Sequence, residues 1–308
     1  MAYIFGRDNR NYWMGLSIIW IILLHSYQNL DCEWLKIIAG HGGRGVDVFF
    51  ILSTFGLCFS YEKNNIWKYY GNRFKRLFPI YIVYLILLFL FFGDKFNDSK
   101  ITLFICQITG LASFRRVDVE WYIPALICLY LLFPLLYKTC RWIYQNHWKI
   151  AILSIPLLTI FLTRYGRYFF FYHIPVRLVV IYIAAMMYFC VKESNERRLL
   201  TIGFVPAAVY FLLDGLNFYS LALLIPSLMI LISKIAPPQP CKKIVGYVGK
   251  HTLEIYLAQS ISIQYFAKYN PLLLDKYALY ASLLLMIIVL SILFNISNRI
   301  WKIVDSKN

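Results

Sequence analysis

Long apolar runs recur from one end of this 308-residue sequence to the other, with only short polar gaps between them. Hydrophobic residues make up 60% of the chain and charged residues 15%, whereas charged residues are about 25% of a typical soluble domain. About 20 apolar residues in a helix cross the ~30 Å hydrocarbon core of a bilayer. The pattern therefore predicts an all-α fold, a polytopic integral membrane helical bundle.

We predict about ten transmembrane helices. Their apolar runs lie at 13–29, 46–61, 77–93, 121–137, 149–164, 174–191, 199–214, 217–235, 252–268 and 277–298. The run Ile101–Phe114 is short and contains Gln107 and Thr109, so we expect an interfacial or re-entrant helix there. The longest polar gap, Gly93–Glu120, is too short for a soluble domain of useful size. Residues 1–308 are therefore predicted to form one membrane domain.

The basic residues predict the orientation. If the N-terminus is inside, the loops on that side carry about twice as many Lys and Arg as the opposite loops, which is the bias of cytoplasmic loops. We predict a multi-pass protein of the cell (inner or plasma) membrane with both termini cytoplasmic. The first run follows Arg7 and Arg10 without a small-residue cleavage site, so we expect an uncleaved first span. The Pro-rich stretch Pro237–Pro240 predicts a stiff cytoplasmic connector.

Charge and cysteine usage limit the partners. The net charge of +16 follows from basic loops beside the lipid bilayer, so we predict no nucleic-acid partner. None of the seven cysteines forms a C-x-x-C pair, and the five histidines are far apart. We therefore predict no metal site.

The first predicted span ends on a titratable side chain. No residue from Gly15 to Leu24 is charged, and His25 follows. An ionisable residue inside a membrane is costly and is therefore a functional candidate. Met14 and His25 lie three helical turns apart on one face, with Arg10 one turn below Met14. His25 is either a general base acting on a hydroxyl or a structural histidine bonded to a neighbouring helix.

Two carboxylates are candidates for the same chemistry. Asp47 follows a Gly-rich turn in the segment HGGRGVDVFFILSTFGLCF. Helix capping explains it, and so does a role in orienting a histidine or binding a sugar hydroxyl. Glu120 is a second candidate, facing the outer cavity. The adjacent Trp121 and Tyr122 fit an aromatic belt at a membrane interface.

Several charged residues have two interpretations each. Arg73 and Arg76 share a helix face, where they either reach lipid phosphates or clamp a phosphorylated cofactor at the cytoplasmic surface. Arg177 lies inside a span and is either functional or paired with a neighbouring helix. Glu254 lies one turn inside the ninth span, and we expect it to pair with Arg177 or Lys250.

Five motifs, taken in order, resemble membrane-bound acyltransferase family 3, which includes polysaccharide and lipid O-acetyltransferases. The resemblance covers most of the chain, from about Trp13 to about Gln259. The motifs are a first span ending in His25, GVDVFFILS from Gly45, RFKRLFPIY from Arg73, WYIPALICLYLLFP from Trp121, and TLEIYL from Thr252.

The resemblance implies roles for particular residues. His25 corresponds to the family's essential histidine, and Arg73 and Arg76 to a basic pair on the acyl-CoA side. The remaining matches are Asp47, Phe50 and Ser53 in the second-span signature, Trp121 as the fourth-span tryptophan, and Tyr256 as the late tyrosine.

The sequence departs from the family pattern at three places. Met14 stands where members commonly carry an arginine eleven residues before the histidine, and Arg10 is one turn away. The late motif ends in Gln259 where members commonly have histidine. The second-span Ser-Gly pair is Ser53–Thr54 here. These departures are compatible with a subfamily of different donor geometry or with a member of impaired catalysis.

Residues and resemblance together predict an integral membrane O-acyltransferase. It would move an acetyl or other short acyl group from acyl-CoA, most simply acetyl-CoA, to a hydroxyl of a cell-envelope glycan or lipid-linked sugar. Two alternatives are a transporter or flippase of a lipid-linked sugar and a non-catalytic family member. The sequence does not predict the oligomeric state. The expected catalytic residues are His25, Asp47 and Glu120; the donor-binding residues are Arg73, Arg76 and Arg10; the substrate-binding residues are Trp121, Tyr122, Arg177 and Tyr256.

Overall fold

The computed structural model describes residues 7–26, 32–92, 100–113, 121–169, 174–215, 217–232 and 238–269. Every regular element in these ranges is helical, which confirms the predicted all-α class. A single 3₁₀ turn covers Leu111–Ser113. The α-helices are α1 Arg7–Ser26, α2 Glu33–Gly40, α3 Arg44–Lys63, α4 Ile66–Phe92, α5 Lys100–Thr109, α6 Tyr122–Phe169, α7 Ile174–Lys192, α8 Glu196–Asp214, α9 Phe218–Ile232, α10 Gln239–Lys250 and α11 Thr252–Tyr269.

Three segments of the described chain are helical, long and apolar enough to cross a membrane: Arg44–Lys63, Tyr122–Tyr165 and Ile174–Lys192. The two predicted runs 121–137 and 149–164 fall within the single helix α6. This helix leaves helical geometry at His147, with φ −140° and ψ 29°, so it consists of two segments that match the two runs. The predicted run 277–298 lies outside the described residues.

Helix α7 lies at the centre of the bundle. Its residues are buried on every face from Ile174 to Cys190, apart from Leu178 and Tyr182. A helix that is apolar on all sides is buried either in protein or in the membrane. Here α3, α6, α8 and α9 pack around α7, and α1 packs on the far side of α3. The central position of α3 and α7 places Arg44, Asp47 and Arg177 inside the protein, whereas Glu62, Lys63 and Lys192 are exposed at the C-terminal ends of these helices.

Helix α1 is held between α3 and α10 by very close backbone contacts. A Cβ atom on Gly45 of α3 would lie 2.6 Å from the Ser17 carbonyl oxygen of α1. A Cβ on Gly249 of α10 would overlap the Asn11 carbonyl oxygen at the other end of α1. Small residues let helix backbones approach in this way, so α1 is fixed against both neighbours.

Two local predictions have clear outcomes. Helix α5 begins one residue before the predicted run Ile101–Phe114 and has only ten residues, Lys100–Thr109; this length rises about 15 Å, half of the ~30 Å core. The prediction of a connector at Pro237–Pro240 is wrong for its second half, because α10 begins at Gln239 with Pro240 in its first turn. Proline is compatible with that turn, since its missing N–H would have no partner inside the helix.

Candidate functional site

A cleft lies between helices α1, α3, α4, α6 and α11. Its lining positions recur every four residues along two helices. On α3 they are Phe49, Ser53 and Leu57, and on α6 they are Tyr122, Leu126 and Tyr130. Eight residues of α-helix rise about 12 Å, so the cleft extends about that far along the bundle.

Three arginines from two helices line one end of this cleft. Arg10 lies on α1, and Arg73 and Arg76 lie on α4. Arg73 donates from Nη2 to the Gly56 carbonyl oxygen at 2.9 Å, which places this end beside the C-terminal half of α3. Arg76 is exposed, so the cleft reaches the protein surface here. The structure thus brings together the three residues predicted to hold the donor.

The arginine end carries excess positive charge. Burial, together with the nearby Arg76 and Arg73 guanidiniums, lowers the pKa of Arg10 to about 10. Burial also lowers the pKa of Arg73. Among the described residues, no Asp or Glu lines the cleft. Glu254 lies near Arg76, and its Oε1 is 3.8 Å from Nδ1 of His251. Guanidiniums crowded without carboxylates form a suitable site for phosphate groups.

The other end of the cleft is aromatic. Tyr122 and Tyr256 both line it, with ring centroids 5.0 Å apart. The Tyr122 ring also packs against Phe50, at 5.4 Å, near the N-terminal half of α3. Two of the predicted substrate-binding residues therefore meet at the end opposite the arginines. Met14 lines the same cleft on the same face of α1 as Arg10, as the helical spacing predicts.

His25 lies beyond the cleft, at the C-terminal end of α1, and its side chain is exposed. Its Nδ1 is 2.9 Å from the Ile21 carbonyl oxygen and 2.9 Å from Nε2 of Gln259 on α11. Gln259 Nε2 also donates to the Ile21 carbonyl oxygen, at 3.5 Å. A ring proton on Nδ1 would be donated to the Ile21 oxygen and would leave Nε2 of His25 as the base, whereas a bond donated by Gln259 Nε2 to Nδ1 would place the ring proton on Nε2.

Among the described residues, the side-chain partner of His25 is Gln259, and Asp47 lies in a separate cluster with two arginines. Gln259 lies three residues after Tyr256, about 4.5 Å along α11. It connects the histidine to the aromatic end of the cleft through a single helical turn. Sequence reasoning noted Gln259 as a polar position in the ninth span and as a departure from the family pattern, but did not pair it with His25.

Asp47 is fully buried and lies between two guanidiniums. Its Oδ2 is 2.9 Å from Nη1 of Arg44, and its Oδ1 is 3.2 Å from Nε of Arg177. Both arginines are 3% exposed. The pairing predicted between Glu254 and Arg177 or Lys250 is therefore wrong: Arg177 binds Asp47, and Glu254 pairs with His251. Sequence analysis missed Arg44, although its spacing of three residues from Asp47 on a helix was the available signal.

Trp121 joins this second cluster. The Arg177 guanidinium lies 5.5 Å from the Trp121 ring centroid, within cation–π distance. Arg177 also donates to the Gly43 carbonyl oxygen at 3.4 Å. The N-terminal ends of α3, α6 and α7 thus meet around one buried carboxylate. Glu120, the remaining predicted catalytic residue, lies outside the described residues.

The comparisons with known proteins identify a family. A family model described as an acyltransferase domain matches residues 11–296. Neither the curated proteins nor the solved structures contain a match to this chain. Among the described residues, no three His, Cys, Asp or Glu side chains are grouped as metal ligands. Since the family match covers most of the 308 residues, this chain belongs to membrane acyltransferase family 3.

Proposed function

We propose that this protein is an integral membrane O-acyltransferase that uses acyl-CoA, most simply acetyl-CoA, to acylate a hydroxyl of a cell-envelope glycan or lipid-linked sugar. The observation that supports this most strongly is the arginine end of the cleft, where Arg10, Arg73 and Arg76 meet. A coenzyme A donor carries phosphate groups at one end and a thioester at the other. The cleft has the corresponding order, with guanidiniums at one end and neutral aromatic residues at the other.

The proposed donor position follows from these two ends. The phosphates bind Arg10, Arg73 and Arg76, and their negative charge relieves the mutual repulsion of the guanidiniums. The pantetheine arm then runs along the roughly 12 Å of cleft between α3 and α6. Its thioester reaches the level of Tyr122 and Tyr256.

His25 is the proposed general base. An alcohol is a weak nucleophile at neutral pH, so its proton must be removed as it attacks. The acceptor oxygen forms a bond to the thioester carbonyl carbon, and His25 Nε2 takes the hydroxyl proton. The C–S bond then breaks and the coenzyme A thiolate leaves with the electron pair. Asp47 and Glu120 remain candidates for acceptor binding, and Trp121 offers a ring on which a sugar can stack.

The membrane arrangement is part of this proposal. About ten transmembrane helices would place the protein in the cell membrane, with both termini cytoplasmic. The arginine end then faces the cytoplasm, where acyl-CoA is made. His25, fifteen residues and about 22 Å along α1 from Arg10, lies near the opposite side. Transfer would therefore deliver an acyl group across the bilayer to an envelope acceptor.

The test is acyl transfer by purified, reconstituted protein. Labelled acetyl-CoA is supplied with candidate glycans or lipid-linked sugars, and both free thiol and labelled product are measured. We expect His25→Ala to abolish transfer while the protein still inserts and binds donor. A double variant Arg73→Gln/Arg76→Gln should lose donor binding, whereas the matched control Lys63→Gln/Lys68→Gln should retain it.

The alternatives give different results in the same assay. A transporter or flippase moves a lipid-linked sugar and releases no thiol from acetyl-CoA. A non-catalytic family member binds coenzyme A with the same arginine dependence and transfers nothing. Full transfer by His25→Ala would contradict the base assignment. Donor binding that is indifferent to Arg73 and Arg76 would contradict the donor site.

A further inference from the structure

Helix α10 presents two different stripes on its exposed face. Gln239, Lys243 and Lys250 project along one line, because four and seven residues each bring a helix back to nearly the same direction. Tyr247 and Ile244 lie beside them, and they are 65% and 69% exposed. No Asp or Glu occurs in α10. A cationic stripe next to exposed aromatic and aliphatic side chains is the pattern of a helix that lies in a membrane interface.

The opposite face of α10 is fixed to α1. Gly249 and Gly15 allow backbone contacts so close that a Cβ on either residue would overlap the other helix. A groove runs beside this junction, and Lys242, Lys243, Lys250 and Tyr247 line it together with Asn11 of α1. The groove is therefore built on a rigid base, and its polar side-chain atoms are the lysine amines, the amides of Asn11 and Gln239, and the Tyr247 phenol.

We propose that this groove binds the headgroup of an anionic phospholipid. Lys243 and Lys250 contact the phosphate, the Asn11 amide donates to the same headgroup, and Tyr247 and Ile244 enter the level where the acyl chains begin. Each lysine near an anionic membrane surface strengthens attachment. Tyrosine is favoured at this level because its ring is apolar and its hydroxyl remains hydrated.

The exposed apolar residues favour a lipid over a soluble nucleotide. A nucleotide phosphate would bind the lysines but would gain little from Ile244. This aliphatic side chain is 69% exposed and offers no polar contact to such a ligand. A phospholipid uses both stripes at once. The groove also lies beside Arg10 through Asn11 and beside Thr252 through Lys250, so a bound lipid would support two helices that line the cleft.

The test measures lipid retention and does not depend on transfer activity. The full-length protein is reconstituted in nanodiscs of equimolar phosphatidylcholine and phosphatidylglycerol, extracted in mild detergent, and analysed by native mass spectrometry. The variant Lys243→Gln/Lys250→Gln is compared with Lys63→Gln/Lys138→Gln, which removes the same charge from exposed lysines elsewhere. Lys243→Arg/Lys250→Arg keeps the charge.

We expect the wild type, the control and the arginine variant to retain phosphatidylglycerol in preference to phosphatidylcholine. The Lys243→Gln/Lys250→Gln variant should retain on the order of tenfold less phosphatidylglycerol, and added salt should reduce retention by the wild type. Equal retention by this variant and the control would overturn the proposal. Displacement of the lipid by free coenzyme A would also overturn it, since the groove would then be a nucleotide site.

Discussion

We predict that Asp47 stabilises the protein by compensating part of the charge of two buried arginines, and replacing it with asparagine tests this directly. The carboxylate lies 2.9 Å from Arg44 and 3.2 Å from Arg177, and all three side chains are at most 3% exposed. The cluster has a net charge of about +1 in the wild type and +2 in Asp47→Asn. Breaking a buried ion pair leaves an uncompensated charge and costs about 3–5 kcal/mol. We expect a free-energy loss in this range.

The assay is thermal unfolding of purified protein in detergent, with the yield of monodisperse protein as a second measure. Glu33→Gln is a suitable control, because Glu33 forms an exposed ion pair with Lys36 at 2.7 Å. Exposed pairs contribute about 0–1 kcal/mol, so this variant should unfold like the wild type. Arg44→Gln should destabilise less than Asp47→Asn, since it leaves the pair of Asp47 and Arg177 with no net charge.

One outcome would refute the electrostatic argument. If Asp47→Asn unfolds at the wild-type temperature, the two guanidiniums do not depend on this carboxylate. If the same variant also loses acyl transfer, Asp47 acts in the chemistry, as the sequence first suggested. A variant that is unstable and inactive would instead assign Asp47 to the fold.

Three further predictions follow from the cleft and its supports. Arg76→Gln should raise the KM for acetyl-CoA more than it lowers kcat, because it removes a phosphate contact; an unchanged KM in steady-state assays would contradict this. Gln259→Leu should lower kcat by up to about tenfold without changing donor binding, because it frees the His25 ring; a full kcat would show that Gln259 does not position His25. Gly249→Ala should destabilise the protein by about 1–3 kcal/mol or more, since the added Cβ would overlap a backbone carbonyl oxygen that has little room to move. Gly71→Ala, a helical position with open space around it, is its control in thermal unfolding and should be neutral or stabilising.

Composition and local order along the chain determined the helical class and several features of the site. Apolar runs separated by short polar gaps predict helices wherever water is excluded, because a helix satisfies its own backbone hydrogen bonds. Helical spacing alone predicted that Arg10 and Met14 share a face, and both line the cleft. The hydropathy pattern did not predict helix α10. Its lysines and glycines interrupt the apolar residues, so this segment contains no long apolar run.

Only the tertiary structure decided which distant residues meet. Asp47 faces Arg177, and His25 contacts Gln259, although each pair is separated by more than a hundred residues. Spacing along the chain does not identify either partner. A buried charge is costly without a compensating partner, and the sequence contains several arginines and carboxylates that could provide one. The packing of the helices determines which residues meet. The glycine contacts fix α1 between α3 and α10, and the central position of α7 brings Arg177 to the end of α3.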